Sequence, residues 1–151
     1  MLRWIVCIIA LLIVVIFIYF KFSNVRPTNL GLTDGALLAC PKSPNCVSTQ
    51  ANKNDKEHYI APIFYEKSRS DVQLELEKYL RSIGMNIVTN TLGYIHAEET
   101  SEVIGYIDDI EFYLPEAENI IHIRSASRVG YSDKGVNRKR VEKIRVNLLD
   151  I

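Results

Sequence analysis

The sequence predicts an α+β fold: an N-terminal membrane helix, an extended Cys/Pro-rich segment, then an α-β-β-β-β-α domain with an antiparallel sheet. Three observations predict it. Trp4 to Phe20 is an unbroken apolar run. Two later stretches, Ser70–Met85 and Asn137–Leu149, repeat apolar residues at helical spacing. Between them lie four short segments rich in Ile, Val, Tyr and Phe, separated by turn formers. The chain divides on this reading into residues 1–22, 23–62 and 63–151.

The apolar run spans roughly 25 Å as a helix, the short end of what a bilayer core needs. Arg3 and Lys21 flank it, and Trp4 and Tyr19 stand where interfacial aromatics belong. A cleaved signal peptide would have a shorter core and a small-x-small site after it, and Lys21-Phe22-Ser23-Asn24-Val25 has none. Leu37-Leu38-Ala39-Cys40 looks like a lipoprotein box but lies far beyond the run. An uncleaved signal anchor fits best. Arg3 against Lys21 and Arg26 leaves its orientation nearly balanced.

Residues 23–62 hold Pro27, Pro41, Pro44 and Pro62 with Gly31 and Gly35, which exclude a regular helix. Leu30, Leu32, Leu37, Leu38 and Val47 are apolar anchors, so the segment is expected to pack on the domain. In Ser70–Met85 the apolar face is Val72, Leu76, Tyr79, Leu80 and Ile83, with Ser70 and Gln73 as a capping box and Gly84 as the stop. Strands are expected at Asn86–Asn90, Gly93–Glu98, Val103–Leu114 and Asn119–Ser127, with Pro115–Asn119 as a hairpin loop. Short connections imply a meander. In the last helix Val141, Ile144, Leu148 and Ile151 make the stripe, capped by Asp133 or Asn137.

The chain is formally neutral, yet its charge is sorted. Glu98 to Glu118 contains eight acidic residues and no Lys or Arg; Arg124 to Arg145 contains eight basic residues against Asp133 and Glu142. Such neighbours either neutralise each other inside the fold or present a polarised surface. Without the membrane run the remainder is mildly acidic, which gives no support for nucleic-acid binding.

Strand parity gathers a candidate site. His96 and Glu98 share a face, as do Asp109 and Glu111, and His122, Arg124 and Arg128 share a parity. These residues read either as a binding or acid–base face or as cross-strand ion pairs. Arg124 is expected to be an internal partner of the carboxylates. Arg138 and Arg140 lie about 200° apart on their helix, so Arg128 and one of that pair are candidates to face an anion. The histidines and carboxylates are zinc- or iron-type ligands, but no H-x-x-x-H or C-x-x-C spacing fixes a site, so no metal or cofactor is expected. Ser125, Ser127, Ser132 and His122 lack a G-x-S-x-G elbow. Cys40 and Cys46, in Cys-Pro-Lys-Ser-Pro-Asn-Cys, read as a disulfide in an oxidising compartment or as thiols in a reducing one. The disulfide is favoured, and it would put the domain outside the cytoplasm.

Several of these stretches resemble one bacterial family. They are Leu32-Thr33-Asp34-Gly35, the run from Cys40 to Gln50, Tyr94-Ile95-His96-Ala97-Glu98, Asp108-Asp109-Ile110-Glu111-Phe112, and the run from Arg124 to Arg140. The family is domain of unknown function 1499, and the likeness extends from Leu30 to the C-terminus. It implies that membrane helices precede the domain, and it carries over no activity and no catalytic residue.

The expectation is a single-pass inner-membrane protein with a periplasmic binding or accessory module, partnered by the bilayer and an envelope protein. The alternatives are an envelope enzyme using the His/carboxylate/Arg face, and a purely structural envelope protein.

Overall fold

A computed structural model describes residues 2–102 and 105–149. The chain forms α1 (Leu2–Ser23), β1 (Cys46–Ser48), β2 (Ile63–Phe64), α2 (Arg69–Ser82), β3 (Asn86–Thr91), β4 (Tyr94–Thr100), β5 (Ile107–Tyr113), β6 (Ile120–Ser127) and α3 (Val136–Leu149). The expected strand start at Val103 and the expected stripe residue Ile151 lie outside the described residues.

Short connections make β3 to β6 a meander, because a tight turn returns the chain beside itself. All named strand pairs are antiparallel, in the order β1-β6-β5-β4-β3. Two short strands ahead of α2, one in the extended segment and one just after it, are not announced by composition. β1 pairs with Arg124–Ala126 and β2 with Ile120–Ile121, so they lie end to end along the outer edge of β6. That edge is covered rather than left as an open template.

Alternation then sorts the side chains. Ile95, Phe112 and Ile123 stand side by side on one face, with Ala97, Ile110 and Ser125 in the next row. This face meets Val72, Leu76 and Leu80 of α2 and Val141 and Ile144 of α3, and the cluster is buried. The opposite face carries Tyr94, Tyr113 and His122, then His96, Glu111 and Arg124, then Glu98, Asp109 and Ala126. A slip of one residue would exchange the two sets, so burying the apolar rows dictates where the charges stand.

α2 begins one residue before the expected Ser70. Its cap is Ser68, whose hydroxyl accepts from the Asp71 N–H at 3.2 Å. Ser68 has extended backbone, and the Ser70–Gln73 pair lies inside the helix. At the other end Gly84 N–H reaches Arg81 O and Met85 N–H reaches Leu80 O, a pattern that requires the Gly84 φ of +82°.

Residues 24–36 carry no buried side chain, and Leu37 is the first that is. The segment turns at Asp34-Gly35, closed by a Thr33–Ala36 bridge, and Gln50 Oε1 holds the Leu37 N–H at 2.8 Å. A Cys40–Cys46 disulfide closes the loop leading into β1, with Cα atoms 5.6 Å apart.

Side chains of α1 are described for residues 3–19 and 22–23, and the large apolar ones are 49–76% exposed. Among the described residues, no helix is long and apolar enough to cross a membrane.

Two glycines separate backbone strain from steric conflict. A Cβ at Gly84 meets open space, so Gly84→Ala should cost about 1–2 kcal/mol from its left-handed backbone alone. At Gly93, φ is +88° and a Cβ would lie 1.8 Å from Arg69 Nη2 and 3.0 Å from Leu114 O. Arg69 Nε donates to that same carbonyl at 2.8 Å, so the side chain cannot leave without losing the bond. Gly93→Ala should therefore lower the denaturant midpoint clearly more than Gly84→Ala; equal losses would show that Arg69 moves freely.

Candidate functional site

The sheet face turned away from the helices holds a buried ionic network. His96 is on β4 and Asp109 on β5, and His96 Nε2 lies 2.8 Å from Asp109 Oδ1. Arg128 follows β6, and its N–H still bonds Ile107 O at 3.1 Å, so strand parity carries its side chain inward. Its Nε donates to Asp109 Oδ2 at 2.8 Å and its Nη2 to Asp109 Oδ1 at 2.7 Å. The same Nη2 also reaches Glu98 Oε1, and Nη1 donates to the Asn24 carbonyl at 3.3 Å. Arg26 Nε supplies Glu98 with a second cation at 2.7 Å. One row along, Glu111 accepts from the Tyr94 hydroxyl and the Gly31 N–H at 2.8 Å each, and from Arg124 Nη1 at 3.2 Å.

Water is largely excluded from these groups. The side chains of Arg128, Asp109 and Glu111 are 4%, 2% and 0% exposed. A covering strap, residues 24–31, lies over them and is attached through Asn24, Arg26 and Gly31. Burial opposes ionisation of Asp109, but the Arg128 and His96 hydrogen bonds outweigh it and hold its carboxyl below the usual range. Glu98 is held low in the same way by Arg26 and Arg128. Burial, reinforced by Glu111, raises the Tyr94 hydroxyl, so it remains a donor to that carboxylate.

Ligand atoms of His96, Glu98 and Asp109 lie within 4.8 Å of one another, close enough for a cation. The Arg128 guanidinium stands among them and bonds both carboxylates. A metal would have to displace it and leave a buried arginine unpaired, so this donor set fits a guanidinium better than a metal.

The remaining candidates divide. Arg124 sits beside Glu111, although its Nε has no partner. His122 stands at the rim, stacked on Tyr113 and 3.0 Å from Thr49 Oγ1, with its pKa lowered by burial. Arg140 lies on the helix side of the sheet. It reaches Glu99, Asp108 Oδ2 at 2.6 Å and Ser125 Oγ at 3.0 Å. Arg138 points elsewhere and donates to the carbonyls of Lys56, Glu57 and Tyr59.

The structure turns Arg128 into the carboxylate network. All three Arg128 nitrogens are bound within the protein, because β6 stays regular to its end. Arg138 Nη2 holds loop carbonyls, and Arg140 holds carboxylates.

Sequence reasoning missed Asn24, Arg26, Gly31 and Tyr94. Tyr94 shares the parity of His96 and was findable on that ground. The other three lie in a segment without periodicity, and nothing local marks their partners.

Removing one member of a buried pair strands the other, so the variants should rank by burial. In the full chain, Arg128→Met keeps the bulk and loses the charge; it should cost about 3–5 kcal/mol in chemical unfolding. Arg124→Ala should cost about 1–3 kcal/mol, and Arg138→Ala under about 1.5 kcal/mol. If Arg128→Met proves as mild as Arg138→Ala, the network does not hold the fold.

The lowered carboxyl pKa values also set an acid limit. Their stabilisation is complete above the unfolded values of about 3.9 and 4.3, and is lost as pH falls through the lower folded values. Unfolding free energy should fall with acid in that window, and less steeply in Arg128→Met; parallel slopes would remove Asp109 and Glu98 as the cause.

Neither a curated protein nor a solved structure matches the chain. A family model described as "Protein of unknown function (DUF1499)" matches residues 36–148, which include β1 to β6, almost all of α3 and every carboxylate of the network, while the strap from Asn24 to Gly31 precedes the matched span. The chain belongs to the DUF1499 family.

Proposed function

We propose that this protein is a single-pass bacterial membrane protein whose domain lies outside the cytoplasm and serves as a binding or accessory module. One observation carries the module reading: the groups best suited to chemistry neutralise one another beneath the strap. Proton transfer requires the reacting atom within hydrogen-bond reach of the acid or base. His96 and Asp109 are buried and already bonded to each other, and Arg128 occupies the space beside them. Two open concavities lie away from these residues. One, of about 400 Å³, is lined by Ile63, Phe64, Tyr65, Val72, Ile121 and Leu148 between β2, α2 and α3.

Two features support the location. The apolar run from Trp4 to Phe20 is uninterrupted, and the large apolar side chains described within α1 are exposed, as an anchor's would be before insertion in lipid. The Cys40–Cys46 disulfide belongs to an oxidising compartment. In a chain-entropy estimate so short a loop adds about 2 kcal/mol.

Alkaline phosphatase fused after Ile151 should be active in cells. An inactive fusion, beside a fluorescent cytoplasmic-type fusion at the same point, would reverse the orientation. Peptide mapping without reductant, on protein taken directly from membranes, should recover Cys40 linked to Cys46; free thiols at both positions would refute the oxidising compartment. His96→Gln separates module from enzyme. It should complement a deletion strain in proportion to the amount of folded protein, whereas a fully folded but inactive variant would restore the enzymatic reading.

A further inference from the structure

We propose that the end of the sheet from which α1 departs rests on the bilayer surface, with Val25, residues 101–102 and 105–106, and residues 129–134 facing the lipid headgroups. The proposal rests on the reading of α1 as an anchor. Its argument is the absence of a linker. α1 ends at Ser23, and the next residue, Asn24, is already hydrogen-bonded to the near end of the sheet. Asn24 Nδ2 donates to Gly105 O at 2.6 Å, its Oδ1 accepts from the Ile107 N–H at 3.0 Å, and its carbonyl accepts from Arg128 Nη1 at 3.3 Å.

Distances then constrain the geometry. From Phe20, the last residue of the apolar run, to Asn24 a helix rises only about 6 Å. The headgroup layer on each side of a bilayer core is about 5–8 Å thick. Asn24 therefore sits at the outer limit of that layer, and so does the first residue of β5, to which it is bonded. The body cannot lift away without breaking those bonds. The opposite end of the sheet, at the Leu92-Gly93 turn, stands roughly 20 Å further along β4.

The side chains at the near end suit this position. Val25 and Tyr131 are 66% and 75% exposed, large for apolar and aromatic groups. Tyrosine favours the headgroup level, where its ring is buried and its hydroxyl stays wet. Arg26 and Lys134 share this end with Glu102 and Asp133, so opposite charges offset and anionic lipid is not required. The occupant is the headgroup layer itself.

The test uses the full chain, with Cys7→Ala, in phosphatidylcholine vesicles that contain a headgroup nitroxide lipid. An environment-sensitive fluorophore is attached at Tyr131→Cys or at Leu92→Cys; Leu92 is 69% exposed and lies at the far end. The probe at 131 should be blue-shifted and several-fold more quenched than the probe at 92. Equal quenching, in protein that stays with the vesicles through a carbonate wash, would overturn the docked geometry and leave the anchor standing. Release in the wash would overturn the anchor and the docking together.

Discussion

The Arg128 guanidinium is the tie on which the second face of the sheet depends. Packing α2 and α3 on one face commits alternate residues of β4, β5 and β6 to the other, and these include Glu98, Asp109 and Glu111. Left in water they would need nothing. Covered by residues 24–31, they must be paired or bear the cost of an uncompensated buried charge. Arg128 meets two of them with a planar fork that a lysine could not reproduce, and Arg26 arrives from the strap to complete Glu98. Arg124 does the same for Glu111 less completely, with one bond and an orphaned Nε.

A second, mostly neutral hub fastens the helix side. Asn137 is fully buried at the start of α3; its amide nitrogen donates to Asn45 O and Ser127 Oγ, each at 3.0 Å, and its oxygen accepts from Ser125 Oγ at 2.6 Å. Asn45 in turn donates to Gly130 O at 2.7 Å and leads directly into the disulfide residue Cys46. Thus α3, β6, β1 and the Cys-Pro loop meet at one asparagine pair. Arg140 extends the hub to Asp108 and Glu99, so the acidic run of β4 and β5 is neutralised from both faces, by Arg128 on one and Arg140 on the other.

The sorted charge leaves neutralisation and a polarised surface both open in the sequence, and only the pairing of Arg128 and Arg140 with the acidic strands decides for the first; strand parity is legible wherever strands exceed about five residues. Ile95, Phe112 and Ile123 announce the core face by period alone. Two short strands escaped because β1 and β2, at three and two residues, are too brief to show any period; only β6, already in place, gives them a partner. The partners of Arg128 are hidden for a related reason. Its parity pointed inward, but its two other contacts, Asn24 and Glu98, lie 104 and 30 residues away, and no local pattern encodes a pairing that distant.

The strap joins these observations to α1. Its attachments are polar throughout: an amide to the β5 backbone, a guanidinium to Glu98, a backbone N–H to Glu111. No side chain of residues 24–36 is buried, so the strap holds by satisfying groups that would otherwise be unsatisfied, not by adding apolar area. Such an attachment is directional and brittle, since displacing it exposes Glu98, Asp109 and Glu111 together rather than one at a time. The residue that begins it follows directly on α1. The end of α1 thus meets a region of the sheet whose burial depends on complete pairing. Asn24 in turn accepts from Arg128, which bonds both Asp109 and Glu98, so the end of α1 and the two carboxylates share one chain of hydrogen bonds.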